Sequence, residues 1–87
     1  MSKNMFRRVQ IVHDDSSEIV AESFTNDVGV SFRITMIDNS FHVQLTVTQP
    51  FVMSTELEDL HTDDYDTAKL EAAVFISNKF ESMSSYL

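Results

Sequence analysis

Two alternating runs of apolar residues, separated by Asp38-Asn39, limit what this chain can fold into more than any other feature. In the first run the even positions are Val28, Val30, Phe32, Ile34 and Met36, with Gly29, Ser31, Arg33 and Thr35 between them. In the second the odd positions are Phe41, Val43, Leu45 and Val47, with His42, Gln44, Thr46 and Thr48 between them. Successive side chains of a strand point to opposite faces, so this alternation marks strands with one buried face. Asp and Asn tolerate left-handed backbone angles and favour tight turns. A two-residue turn pairs Ile37 with Ser40, and so sets Met36 against Phe41, Ile34 against Val43, Phe32 against Leu45 and Val30 against Val47. A slip of one residue would turn a whole apolar set toward water. The sequence therefore predicts a hairpin over 28–49. The turn type stays open, because the glycine preferred in a primed turn is absent.

The flanking residues extend this hairpin into a sheet. Residues 6–13 and 18–24 read as strands around the polar turn Asp14-Asp15-Ser16-Ser17. Pairing His13 with Ile19 sets Ile11 opposite Ala21 and Val9 opposite Ser23, and assigns Val9, Ile11, Ile19 and Ala21 to the core face. Phe6, Val12, Val20 and Phe24 then fall on the other face. They are covered by a terminal element or loop, or they form an apolar patch for dimerisation or partner docking. Gly29 reads as a bulge near the start of the third strand. Pro50 reads as the end of the fourth, since proline has no ladder donor.

Beyond Pro50 the period changes. Thr55-Glu56-Leu57-Glu58 matches a capping box, which predicts a short helical turn over 56–60. A second start at Thr62-Asp63-Asp64 opens a helix over 64–83. At 100° per residue, Tyr65, Ala68, Ala72, Ala73, Phe75, Ile76, Phe80 and Met83 share one face. Leu70 and Val74 lie on the polar side, either beneath another segment or as a contact for a second subunit. The expected architecture is one α+β domain over 1–87, a four-stranded antiparallel meander with a C-terminal amphipathic helix on one face.

Charge supplies the strongest functional signal. The net charge is −8, and residues 56–66 hold six acids, Glu56, Glu58, Asp59, Asp63, Asp64 and Asp66, with no Lys or Arg. The other residues carry eight acids and six bases, a net of −2. The negative charge is therefore local. Acids near a helix start interact favourably with its dipole, which accounts for part of the run without requiring all six. The alternative is a docking surface whose carboxylates imitate phosphates and occupy a basic, nucleic-acid-binding site on a partner protein.

Other chemistries fit poorly. Direct nucleic-acid binding needs clustered Lys and Arg; of the basic residues Lys3, Arg7, Arg8 and Arg33, Arg7 and Arg8 fall on opposite faces of a strand, Arg33 can join only one of them on the outer face, and the net charge opposes the reading. The acidic run lacks the glycine and closing glutamate of an EF-hand, and the pattern His61-x-Asp63-Asp64 contains no second histidine and is a poor metal signal. Neither metal nor cofactor is expected. With no phosphate loop, nucleophile elbow or activated nucleophile, the expectation is a binding protein rather than an enzyme. The chain has no cysteine and no apolar run of membrane-spanning length, which fits a cytoplasmic protein with no membrane partner. The expectation is an acidic interaction domain, such as a phage-type or regulatory inhibitor. The alternative is a structural subunit that forms a homo-oligomer through apolar sheet or helix surface.

Overall fold

A computed structural model describes residues 6–49 and 51–84, with side chains as far as residue 79. Its elements are β1 (Arg7–His13), β2 (Ile19–Thr25), β3 (Val30–Ile37), β4 (Ser40–Val47), β5 (Met53–Ser54), β6 (Glu58–Asp59) and α1 (Tyr65–Ser84). The protein is α+β: an antiparallel sheet in the order β1-β2-β3-β4-β5, with β6 also paired to β4, and one C-terminal helix packed against β3 and β4. The expected meander of four strands is thus extended by two short ones.

The central hairpin has the predicted register from Val30↔Val47 to Ile37↔Ser40. Asp38 and Asn39 both adopt positive φ, 50° and 69°, the requirement of a type I′ turn, whose twist matches that of the flanking strands. Ile34, Phe41, Val43 and Leu45 are fully buried. Against them lie Ala68, Ala72 and Ile76 of α1, whose small first two side chains let the helix approach the sheet closely. Tyr65 and Phe75 flank this stripe half-buried, whereas Ala73 is exposed. The Phe80 and Met83 side chains, like Pro50, lie outside the described residues.

Gly29 belongs to the β2–β3 turn, not to a bulge inside β3. The buried Asn26 organises this turn: its Oδ1 accepts from the Val28 and Val30 amides at 3.1 and 3.0 Å. Gly29 takes φ +83°, and a Cβ there would stand 2.8 Å from Thr48 Oγ1. The left-handed angle and the close approach both call for glycine.

The first two strands differ from expectation. The His13↔Ile19 pair is present, but Val20 is an extra residue on β2 and Val9 an extra residue on β1. Ile11 therefore lies opposite Glu22, and Val12 opposite Ala21. The β2–β3 register pairs Glu22 with Ile34 and Phe24 with Phe32, which puts Glu22 and Phe24 on the helix-facing side. Phe24 stacks on Phe32 at 4.6 Å, and Phe6 meets the same ring edge-on at 5.0 Å. These phenylalanines are core residues, not members of an outer apolar face. Ala21 and Val12 take the outer side, and Val9 is exposed.

Glu22 is only 3% exposed in this apolar setting. Arg8 donates to its Oε2 at 3.4 Å, and Lys69 Nζ lies 3.7 Å from its Oε1. Lys69 also lies over the Phe24 and Tyr65 rings at 5.4 and 5.8 Å. One lysine thus links helix and sheet by charge and by cation–π contact. Removing one partner of a buried ion pair strands a charge, whereas replacing the charge with a hydrocarbon does not. Water reaches both cations and weakens the effect. We expect Lys69→Met to destabilise by about 1–2 kcal/mol and Glu22→Leu to be within about 1 kcal/mol of the parent or more stable. Urea unfolding of the two variants checks this, and a Glu22→Leu protein weaker than Lys69→Met contradicts it.

Candidate functional site

The acidic run is divided by the fold. Its first part does not form the expected helical turn, because the Thr55 groups needed for capping are engaged with β4. Leu45 donates its N–H to Thr55 Oγ1 at 3.0 Å, the Thr55 amide donates to Leu45 O at 2.9 Å, and Gln44 Nε2 donates to Thr55 O at 3.1 Å. Glu58 and Asp59 continue along the same edge as β6, opposite Val43 and His42. Two further backbone bonds, Leu60 N–H to Phe41 O (2.9 Å) and Phe41 N–H to Thr62 O (2.8 Å), carry the connection toward the helix.

Asp59 points to the outer side of the sheet. Its Oδ1 accepts from the His61 amide at 2.8 Å and from the Ser40 hydroxyl at 2.9 Å. These bonds, that of the His61 amide foremost, hold its carboxyl below the usual carboxylate range, with further help from the His61 and His42 rings. Asp64 is the helix N-cap. Thr67 donates both its hydroxyl (2.7 Å) and its N–H (2.9 Å) to Asp64 Oδ2, and the hydroxyl is the main cause of a lowered Asp64 pKa. Thr62 Oγ1 accepts from the Asp64 amide at 3.1 Å. Two of the six acids are therefore structural. Among the described residues, the side chains of Glu56, Glu58, Asp63 and Asp66 form no hydrogen bond or ion pair with another side chain.

Asp63, Asp64 and Asp66 edge an open cavity of about 680 Å³ between the helix start, the β1–β2 loop and the β3–β4 turn. Across it stand Asp14 and Glu18, which lie far from the run in the chain and were not grouped with it by any pattern of residues. Asp14 is fixed by its own loop: its Oδ1 accepts from the Ser16 and Glu18 amides at 2.8 and 3.0 Å, and Ser17 takes φ +66°. The floor is apolar, with Ile19, Val20, Met36 and Phe41, and Tyr65 packs edge-on against Phe41 at 5.4 Å. No Lys or Arg lines the cavity. Carboxylates around an apolar floor suit a cationic group carried on an apolar stem.

The residues expected to form an oligomer surface separate. Phe6 and Phe24 belong to the core, Val12 is half-buried on the outer side, and Val20 lines the cavity. Leu70 and Val74 are exposed, at 71% and 59%, on the helix side away from the sheet. Among the described residues no group of three His, Cys, Asp or Glu side chains is placed to hold a metal ion, and no helix is long and apolar enough to cross a membrane. No family model, curated protein or solved structure matches the chain.

The Asp64 cap makes stability fall at the acid end. A carboxyl with a lowered folded pKa contributes stability above its unfolded pKa, and that stability is lost as pH falls through the folded value. We expect Asp64→Ala to lower Tm by roughly 3–8 °C at neutral pH and the difference from the parent to shrink below about pH 4. Thermal melts followed by circular dichroism across pH check this, and a constant difference down to about pH 2 contradicts the assignment.

Proposed function

We propose that this protein is an acidic interaction domain that docks on a basic, nucleic-acid-binding surface of a partner protein and competes there with nucleic acid. The observation that carries the reading is the grouping of Asp63, Asp64 and Asp66 with Asp14 and Glu18 around one apolar-floored cavity. The occupant that fits best is a segment with Lys or Arg beside an apolar anchor. The acids favour its charge and speed encounter, and the floor takes its apolar part. Glu56 and Glu58 extend the negative field along the β4 edge. The activity requires no bond chemistry, and we place it in the cytoplasm on the sequence grounds given above.

A second reading is a structural subunit that self-associates through Leu70 and Val74, whose exposure favours it. The high negative charge opposes it, since two copies repel. Salt separates the two: screening weakens acidic docking and eases self-association.

The test is a pull-down from a lysate of the source cell or its host at about 0.05 M and about 0.5 M salt. The bait is the parent chain or the triple variant Glu58→Gln, Asp63→Asn, Asp66→Asn, which spares the two structural acids. The parent is expected to retain a nucleic-acid-binding protein at low salt and release it at high salt, with added nucleic acid competing. The variant is expected to keep the parent circular dichroism spectrum and lose the capture. Undiminished capture by the folded variant contradicts the proposal, and self-association that persists or strengthens at high salt, with no captured protein, supports the second reading.

A further inference from the structure

The side of the sheet away from the helix carries a second depression, of about 240 Å³, around Arg33. Arg33 points outward because its neighbour Ile34 is fully buried on the helix side. The register sets Arg33 between Ser23 of β2 and Gln44 of β4. In the next cross-strand row it sets Ser31 beside Thr46. All five residues line the depression, and Val9, 58% exposed at the β1 bulge, adds an apolar wall.

Among the described residues no carboxylate lines this depression, although the chain carries a net charge of −8. Arg7 is paired with Asp27, and Arg8 and Lys69 with Glu22. Arg33 has no such partner among the described residues, and the Ser23 and Ser31 hydroxyls form no hydrogen bond there. Gln44 and Thr46 are held in place, the first by donating Nε2 to Thr55 O at 3.1 Å and the second by sharing a bond with Ser54 Oγ at 3.0 Å. Asp27 is taken up by Arg7, the β1 partner of Thr25, and Asp59 by Ser40 and the His61 amide. Neither acid supplies Arg33 with a counter-ion.

We propose that this depression is a site for a phosphate monoester, with the Arg33 guanidinium as its fork and the Ser23 and Ser31 hydroxyls as flanking donors. A guanidinium presents parallel N–H groups to two oxygens of an oxyanion. A planar carboxylate is satisfied by that fork alone. A tetrahedral phosphate keeps oxygen outside the plane of the fork, and the hydroxyls of the two rows donate to it. Val9 supplies an apolar surface for the carbon side of the ester. Nucleic acid presents a row of phosphates and needs clustered cations, which this face lacks. A single small phosphate does not. The site is separate from the acidic cavity, which opens on the helix side of the sheet.

Amide shifts of the isotope-labelled full chain read the site. The probes are glycerol 3-phosphate, inorganic phosphate and acetate, at about pH 7.5 and at one ionic strength made up with chloride, so that screening is equal throughout. Glycerol 3-phosphate is expected to give saturable shifts at Ser23, Ser31, Arg33, Gln44 and Thr46, half-complete at or below about 20 mM, and none at Val20 or Asp63 in the acidic cavity. Inorganic phosphate is expected to give the same pattern without binding more tightly, and acetate to bind at least about threefold more weakly. Arg33→Gln is expected to weaken binding of the ester at least about tenfold. Arg33→Lys, which keeps the charge and loses the fork, is expected to weaken it at least about threefold, and provides the same test if Arg33→Gln does not fold. Shifts that do not saturate or that centre on the acidic cavity, acetate or inorganic phosphate binding more tightly than the ester, or undiminished binding by either folded variant overturns the proposal.

Discussion

The register of β3 against β4 is the constraint on which the rest of the structure depends. It is fixed by a two-residue turn in which Asp38 and Asn39 both hold positive φ. That turn puts Ile34, Phe41, Val43 and Leu45 on one face, where each is almost wholly removed from water. Burial of side chains of this size contributes on the order of 1.5–3 kcal/mol each, so the face must be covered. The helix covers it with Ala68, Ala72 and Ile76. The same register also presents the opposite edge of β4 to the 53–62 connection, which bonds to it at Leu45, Val43, Phe41 and their neighbours. Helix start, acidic rim and outer-face depression all inherit their positions from this hairpin.

The parts legible in the sequence are those governed by a repeated period. The hairpin register was readable because every in-register pair is apolar on one face and a slip has an obvious cost. The helix was readable from its spacing and from the Thr62-Asp63-Asp64 start, of which the structure makes Asp64 the cap. The β1–β2 pair was not, for a physical reason. Alternation there is interrupted by Val9 and Val20, each an extra residue on its strand. The face was also disguised by Glu22. A carboxylate in a strand ordinarily marks the wet side, and here it lies in the core because Arg8 and Lys69 reach it from neighbouring elements. Neither cation is near Glu22 in sequence. Phe6 and Phe24 follow Glu22 inward, which removes two members of the expected outer patch.

The acidic run shows the same limit in a functional setting. Its charge was evident, but a one-dimensional run does not say which acids stand together. Thr55 and Glu58 fit a capping box, yet Thr55 gives its hydrogen bonds to Leu45 and Gln44 across the strand edge. A non-local ladder prevailed over a local capping preference. The fold then turns Asp59 to one side of the sheet and gathers Asp63, Asp64 and Asp66 with Asp14 and Glu18 on the other. The β1–β2 loop, held by the Ser16 and Glu18 amides on Asp14 Oδ1, carries those last two acids. The second histidine near His61 is likewise a product of pairing, since His42 meets Asp59 through the β4–β6 ladder.

On the proposed reading, the apolar-floored acidic cavity receives a basic, amphipathic segment. Titration of isotope-labelled protein with a synthetic Lys- and Arg-rich amphipathic peptide, followed by amide shifts at low and high salt, tests it most directly. Salt-sensitive shifts are expected to concentrate at Asp14, Glu18, Ile19, Val20, Met36, Phe41 and Asp63 to Asp66. Shifts confined to the Leu70–Val74 side of the helix, or unaltered by salt, would contradict it.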